Sequence, residues 1–173
     1  FEIEFSESYD SDDSDYSYDS DSHASSCDCS VCRCRSLACQ CPSCTLIKIL
    51  ENGDRFQAKK FIETEQVDVN VPILGEDKTP LMIACQLGHL NLVDMLVKDL
   101  KAEVDVANDY GKTALMFAAE AKMVKIVTAL VNKYKAEVDA EDERGATALY
   151  YAIKARHGDV INVLVATCQA NVR

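Results

Sequence analysis

The sequence lacks tryptophan, and its 173 residues include no run of 18 or more apolar side chains. The absence of tryptophan argues against a Trp-built aromatic cage of the kind that binds methylated lysine. The absence of a long apolar run predicts that no transmembrane segment is present. The amino end is acidic and serine-rich, whereas a secretory signal needs a basic stretch followed by an apolar one. We therefore expect an intracellular protein, either cytoplasmic or nuclear.

Positive charge is also scarce, because 18 Lys and Arg face 29 Asp and Glu and give a formal net charge of −11. A general nucleic-acid binder needs Lys and Arg to neutralise phosphates, so we expect no nucleic-acid partner. The sequence has no glycine-rich phosphate loop and no catalytic constellation, and Cys85 lacks the basic neighbours that would activate a thiol. We expect no catalytic residues and no enzymatic activity.

The acidic residues are concentrated at the amino end, where residues 1–26 hold nine Asp or Glu and no Lys or Arg. This segment is rich in serine and nearly free of aliphatic side chains, so it cannot bury enough apolar surface to offset the entropy of ordering. We predict a disordered acidic tail. It could serve as a solvating tail, or as a phosphorylated docking segment for a basic partner.

A cysteine-rich segment follows in residues 27–44, with the spacing CxC-x2-CxC-x4-CxC-x2-C. Zinc bound by thiolates is our preferred interpretation, with two ions sharing bridging sulfurs, since a closed zinc site takes four ligands. S-acylation beside Leu37, Arg33 and Arg35 is an alternative, and so are disulfides, which a reducing cytosol disfavours. The candidate zinc ligands are Cys27, Cys29, Cys32, Cys34, Cys39, Cys41 and Cys44.

From Thr79 onward the chain is an internal repeat, in which similar residues recur every 34 positions without a gap. A fixed period of roughly 20–50 residues is typical of a solenoid, whose units bury a continuous core only when they stack. The recurring sets are Thr79, Thr113 and Thr147; Leu81, Leu115 and Leu149; Ala84, Ala118 and Ala152; Val93, Val127 and Ile161; and Leu96, Leu130 and Leu164.

Each unit predicts two short helices followed by a turn. In the first helix Leu81, Ala84 and Cys85 have the i, i+3, i+4 spacing of one buried face, and the small alanine allows helices to approach closely. The second helix repeats this spacing. Asp or Asn together with Gly111 and Gly145 then suits a tight projecting hairpin before the next threonine.

Three stretches, beginning TPLMIACQLGHLNLVDMLV, TALMFAAEAKMVKIVTALV and TALYYAIKARHGDVINVLV, resemble the ankyrin repeat. A fainter unit, LIKILENGDRFQAKKFIETEQVDVN, precedes them and looks like an amino-terminal cap. The resemblance implies an all-α solenoid of ankyrin repeats, each a helix-turn-helix with a projecting hairpin, after the acidic tail and the Cys-rich segment. The expected domain is 44–173, with a cap-like unit at about 44–75 and full units at about 76–108, 109–142 and 143–173.

The repeats depart from the family pattern in three ways. Met82, Met116 and Tyr150 replace the histidine of the TPLH motif, so its hydrogen-bond network is missing and we expect less rigid turns. Lys122 and Arg156 replace the glycine that ends the first helix, at a cost of about 1 kcal/mol each. The period is 34 rather than 33, and we expect the extra residue to lengthen the second helix slightly.

The resemblance also implies a partner site on the concave side, formed by the hairpin tips and the exposed face of the first helices. We therefore predict a monomeric protein-binding module that acts as a scaffold or adaptor. The alternative is a targeting module of a larger enzyme, such as a ubiquitin ligase, kinase or methyltransferase, whose catalytic domain lies outside this fragment. Tyr110 and Arg144 are the strongest candidates, because Tyr and Arg dominate interface energies. The full set is Glu76, Lys78, Gln86, Leu87, Asp109, Tyr110, Lys112, Glu120, Glu143, Arg144, Ala146 and Lys154.

Overall fold

The computed structural model describes residues 42–73 and 76–171, with side chains up to Thr167. The predicted acidic tail and all cysteines of the Cys-rich segment except Cys44 lie outside these residues. The described chain forms consecutive helix pairs and no extended strand, as the sequence predicts. The helices are α1 Pro42–Asn52, α2 Arg55–Glu65, α3 Pro80–Leu87, α4 Leu90–Lys98, α5 Ala114–Glu120, α6 Val124–Thr128 with a π-helical turn Ala129–Lys133, α7 Ala148–Lys154 and α8 Gly158–Asn171.

The helix pairs stack through their first helices, so that α5 packs between α3 and α7. Ala84, Ala118 and Ala152 are completely buried in this stack, because only small side chains allow the helix backbones to come so close. Within the described residues no helix is long and apolar enough to cross a lipid bilayer.

The threonine that opens each repeat stands at the helix N-cap position, where the Thr79 and Thr147 side chains accept a backbone amide bond and the Thr113 side chain makes none. The Thr79 hydroxyl accepts a hydrogen bond from the Met82 amide at 3.3 Å, and the Met82 sulfur accepts one from the Thr79 amide at 3.4 Å. Pro80 stands at the first helical position, where its missing N–H leaves no bond unmade. The methionine that replaces the family's histidine therefore still helps to start the helix.

The first helices end in left-handed residues, as the sequence predicts. Gly88 has φ +88°, and Lys122 and Arg156 adopt φ 61° and 59° at the corresponding positions. A second pair of left-handed lysines, Lys101 and Lys135, follows the second helices at φ 59° and 61°. These two lysines replace the glycine of the family's Gly-Ala turn.

The extra residue of the 34-residue period is accommodated differently from our expectation. In the third helix pair α6 ends at Thr128 and continues as a five-residue π-helical turn, in which the Tyr134 amide bonds to the Ala129 carbonyl. In the second pair the Leu100 amide bonds to the Met95 carbonyl, again five residues back. The extra residue thus widens the last turn, and the predicted longer α-helix is wrong there.

Histidines at the start of the second helices connect neighbouring units. His89 Nε2 lies 3.1 Å from the Glu51 carbonyl oxygen, and His157 Nδ1 lies 3.1 Å from the Ala119 carbonyl oxygen. Both rings therefore bind the end of the first helix of the preceding unit, which is a structural role.

Carboxylates on α4 and directly after it tie the second helices together. Asp94 accepts hydrogen bonds from Lys133, at 2.9 Å, and from the Tyr134 hydroxyl, both one unit further on. Asp99 pairs with Arg55 at 3.3 Å and Lys59 at 3.2 Å, both one unit earlier. Although burial raises the pKa of Asp94, the hydrogen bonds from Tyr134 and Lys133 outweigh it and lower that pKa overall.

Candidate partner site

The hairpins and the first helices line an open groove with a volume of about 720 Å³, called here the hairpin groove. It crosses the hairpins that precede the second, third and fourth helix pairs and reaches the first helices α5 and α7. Most of the predicted contact residues line it, namely Glu76, Lys78, Tyr110, Lys112, Glu120, Glu143, Arg144 and Lys154.

Four predicted residues lie outside the groove. Gln86, Leu87 and Asp109 are exposed on the surface but do not line it. Ala146 is only 8% exposed, so its prediction as a contact residue does not fit the structure. Its methyl group is too short to emerge from the position that Lys78 and Lys112 occupy in the preceding units.

Two polar side chains 34 residues apart shape the hairpins. The Asn108 side-chain oxygen accepts hydrogen bonds from the amides of Lys112, at 2.8 Å, and Tyr110, at 3.2 Å. One Asp142 oxygen accepts the corresponding bonds from Ala146, at 2.8 Å, and Arg144, at 2.9 Å. Short Asn and Asp side chains cap turns in this way, and here they hold Tyr110 and Arg144 at equivalent tips.

The hairpins are also bonded to one another. The Asn108 amide group donates to the Asp77 carbonyl oxygen at 3.1 Å, and the Glu143 amide donates to the Tyr110 carbonyl oxygen at 3.1 Å. Gly111 has φ +75°, and a Cβ atom there would lie 2.9 Å from the Glu143 nitrogen, so only glycine fits this crossing. These bonds join the turns without the family's histidine network.

Two lysines on the groove floor are already paired with carboxylates and aromatic rings of the groove itself. Lys112 Nζ lies 3.0 Å from Glu120, 4.1 Å from the centre of the Tyr151 ring and 5.2 Å from that of Phe117. Lys78 Nζ lies 3.9 Å from Glu76 and 5.5 Å from the same Phe117 ring. Each ammonium therefore has both a carboxylate and an aromatic face, and cation–π attraction adds to the ion pair.

A buried tyrosine–aspartate pair supports the fourth hairpin. The Tyr151 hydroxyl donates to the second Asp142 oxygen at 2.5 Å. This bond, followed by those from the backbone amides, holds the pKa of Asp142 below its ordinary value. Burial and the bond to Asp142 raise the pKa of Tyr151 to about 12. At neutral pH the pair is therefore a neutral phenol bound to a carboxylate.

Three exposed side chains of the groove form neither an ion pair nor a cation–π contact with any residue that the structure describes. Tyr110 is 61% exposed at its hairpin tip. Among the described residues, neither Arg144 nor Lys154 takes part in an ion pair, and both are exposed. The groove thus combines lysines that are already paired with an exposed aromatic ring and with two cations that have no ion pair within the described part of the chain.

The residues that build the groove floor and cap its turns were not among the predicted site residues. Asn108 and Asp142 are 34 apart, as are Phe117 and Tyr151, so their periodicity was a visible signal. The missed groove residues are Asp77, Asn108, Phe117, Asp142 and Tyr151.

Within the part of the chain that the structure describes, no cluster of His, Cys, Asp and Glu could hold a metal ion. Cys85 is fully buried, and burial raises the pKa of its thiol far above the usual value, which keeps it protonated. Cys44 lies in the first turn of α1, and the other six candidate zinc ligands lie outside the described residues.

Comparison with known proteins identifies the repeated unit. A family model described as ankyrin repeats (3 copies) matches residues 35–142 and 100–173. These matches cover all the helix pairs and begin before α1. No curated protein matches the chain in a sequence search.

Proposed function

Because the chain belongs to the ankyrin-repeat family, we propose that it is a scaffold or adaptor that binds a segment of a protein partner in the hairpin groove. Ankyrin repeats are generally protein–protein interaction modules with a non-catalytic fold. The observation that carries the proposal is the exposure of Tyr110 and Arg144 at equivalent hairpin tips, above a floor whose charges are already paired.

The energy of binding comes from the tips. The floor lysines already have carboxylate and aromatic partners, so a ligand gains little by pairing with them and would have to displace Glu76 or Glu120. Tyr110 offers a broad amphipathic ring, and Arg144 offers a planar fork of donors that matches a carboxylate. We therefore place the anchor contacts at Tyr110 and Arg144, with Lys154 beside them.

The chemistry of the partner follows from these groups. An Asp or Glu side chain of the partner would pair with Arg144 or Lys154, and an apolar or aromatic side chain would pack on Tyr110. The hairpin bonds hold Tyr110 and Arg144 in place before binding, which reduces the entropy lost on association.

Affinity capture tests this placement. The full chain is used as bait in four forms: unchanged, Tyr110→Ala with Arg144→Ala, the control Phe56→Ala with Lys60→Ala, and a form without residues 1–26. The control pair is also one aromatic and one basic residue, and both are exposed outside the groove. Proteins lost with the groove variant and kept with the control are groove partners. Retention of every partner by the groove variant would contradict the proposal.

A targeting module of a larger enzyme remains our alternative role for the same groove. It predicts that the captured proteins are substrates modified by an activity physically linked to this chain, such as ubiquitin transfer, phosphorylation or methylation. An adaptor would instead bridge two captured proteins without modifying either. Mass spectrometry of the captured proteins, with and without the groove variant, distinguishes the two roles.

A further inference from the structure

A second, smaller groove lies at the amino-terminal end of the helix stack, called here the end groove. It has a volume of about 210 Å³ and is lined mainly by apolar side chains, among them Pro42, Leu46, Val67, Val71 and Ile73. Leu46 and Ile73 are 1% and 6% exposed, while Val71 is 54% exposed at the edge.

Comparison with the next units shows that this surface is usually covered. Val67 occupies the position of Ala102 and Ala136, each of which follows a second helix and bonds back to it. Ala102 and Ala136 are 5% and 6% exposed, whereas Val67 is only half-buried. In those later units the preceding unit lies beside the position, because the Glu103 and Glu137 amides donate to Asn70 and Asp105 of that unit. The described residues place no such unit beside Val67.

The residues just before α1 are a suitable occupant of the end groove. Pro42 lines the end groove and opens α1, so the residues immediately before it must pass its edge. Leu37 is five residues earlier and is the only large aliphatic residue between Cys32 and Cys44. An extended chain covers about 3.3–3.6 Å per residue, so Leu37 can reach any point of the end groove. The family match begins at residue 35, which extends the repeat pattern through this segment.

We propose that the segment 35–41 folds back over the first helix pair and that Leu37 packs into the end groove. This goes beyond the proposed partner site and does not depend on it. The segment then caps the open end of the stack, as terminal repeats of solenoids must. It also keeps Cys39 and Cys41 close to Cys44 in α1, so the carboxyl-terminal half of the Cys-rich segment belongs to the folded module.

Thermal unfolding of the full 173-residue chain tests the proposal. Leu37→Asp should lower the midpoint Tm by roughly 5 °C, because a buried leucine would be replaced by a charge. The matched control Val31→Asp changes an aliphatic residue of the Cys-rich segment that lies before residues 35–41, and it should leave Tm within about 1 °C. An unchanged Tm for Leu37→Asp would overturn the proposal.

A double-mutant comparison identifies the contact. Val71→Asp should lower Tm in the unchanged chain but add little to Leu37→Asp, because both remove the same interaction. Val165→Asp, a change of a similarly exposed valine on α8, should add its own small effect in full. Fully additive effects of Leu37→Asp and Val71→Asp would place Leu37 elsewhere and contradict the proposal. A second copy in the end groove is also detectable, because sedimentation would show a dimer that Val71→Asp dissociates and Leu37→Asp does not, and this too would overturn it.

Discussion

At the scale of single residues, long basic side chains occupy backbone positions that normally require glycine. Lys101, Lys122, Lys135 and Arg156 all have φ between 59° and 61°. An L-residue pays about 1 kcal/mol or more there, because its Cβ atom crowds the following carbonyl oxygen. This backbone strain occurs at the end of several helices. Replacing one of these basic residues by glycine should therefore raise the free energy of unfolding.

Replacing Lys122 by glycine should therefore increase the free energy of unfolding by about 1 kcal/mol. Lys125→Gly is the matched control, since it makes the same change in a right-handed position of α6 and should decrease that free energy by about 1 kcal/mol. Urea denaturation measures both. A loss of stability in Lys122→Gly would show that its side chain has a compensating role.

The Tyr151–Asp142 bond predicts a pH-dependent effect. Tyr151→Phe should lower the free energy of unfolding at pH 7 by about 1–3 kcal/mol, because a buried carboxylate loses a donor. The folded-state pKa of Asp142 is lowered, so its stabilisation is present above the unfolded pKa of about 3.9 and is lost as pH falls through the folded pKa. The difference between the two chains should then shrink below about pH 4. NMR titration of the Asp142 carboxyl should show its pKa rising in Tyr151→Phe, and an unchanged pKa would contradict this account.

Residue-level roles were only partly predictable from sequence. Positions carried over from the repeat pattern predicted that Tyr110 and Arg144 lie at hairpin tips, because the turn chemistry repeats every 34 residues. Carrying over the position of Lys78 and Lys112 to Ala146 was misleading, because the alanine side chain is too short to reach the groove. The contacts of Lys112 with Phe117 and Tyr151 depend on rotamers fixed by neighbouring units, which local sequence does not determine.

At the scale of helices and turns, the period of 34 predicted repeated pairs of short helices, and the described chain forms such pairs. The sequence also located the extra residue, but not its effect on the backbone. Whether a helix lengthens or its last turn widens depends on which carbonyl the next amide reaches. Here amides at Leu100 and Tyr134 bond five residues back, and tertiary packing selects that outcome.

The second helices should be coupled through Asp94. Asp94→Asn should lower the free energy of unfolding by about 1 kcal/mol, because it weakens the bonds from Lys133 and Tyr134 at once. The effect should fall at high salt, where ion pairs are screened. Glu63→Gln is the control, since among the described residues Glu63 forms only an exposed contact with Lys59 at 4.0 Å, and it should change stability by less than about 0.5 kcal/mol. Equal effects of the two substitutions would argue against the coupling.

At the scale of the whole molecule, the chain combines a repeat stack with two segments whose roles rest on sequence alone. The stack was predictable because the apolar period determines which faces meet. The acidic tail and the Cys-rich segment have no such period, and zinc binding by the seven cysteines stays a prediction.

Metal analysis of the purified chain should find about two zinc ions, or at least one, since each closed site takes four thiolates. Cys39→Ser should reduce the zinc content, whereas Cys85→Ala should not, because Cys85 is buried in the stack. A chelator should release the metal and lower Tm if the segment is folded onto α1. Less than about one zinc per chain would exclude this interpretation in favour of acylation or disulfides.

The central claim is that the hairpin groove binds a protein partner through Tyr110 and Arg144. Its most direct test is the dissociation constant of a captured partner, measured by isothermal titration calorimetry with the full chain. Two anchor residues that each contribute about 1–2 kcal/mol predict that Tyr110→Ala with Arg144→Ala weakens binding by roughly 30-fold or more. The control Phe56→Ala with Lys60→Ala should stay within about twofold of the unchanged chain. Equal affinity for the groove variant and the unchanged chain would contradict the claim.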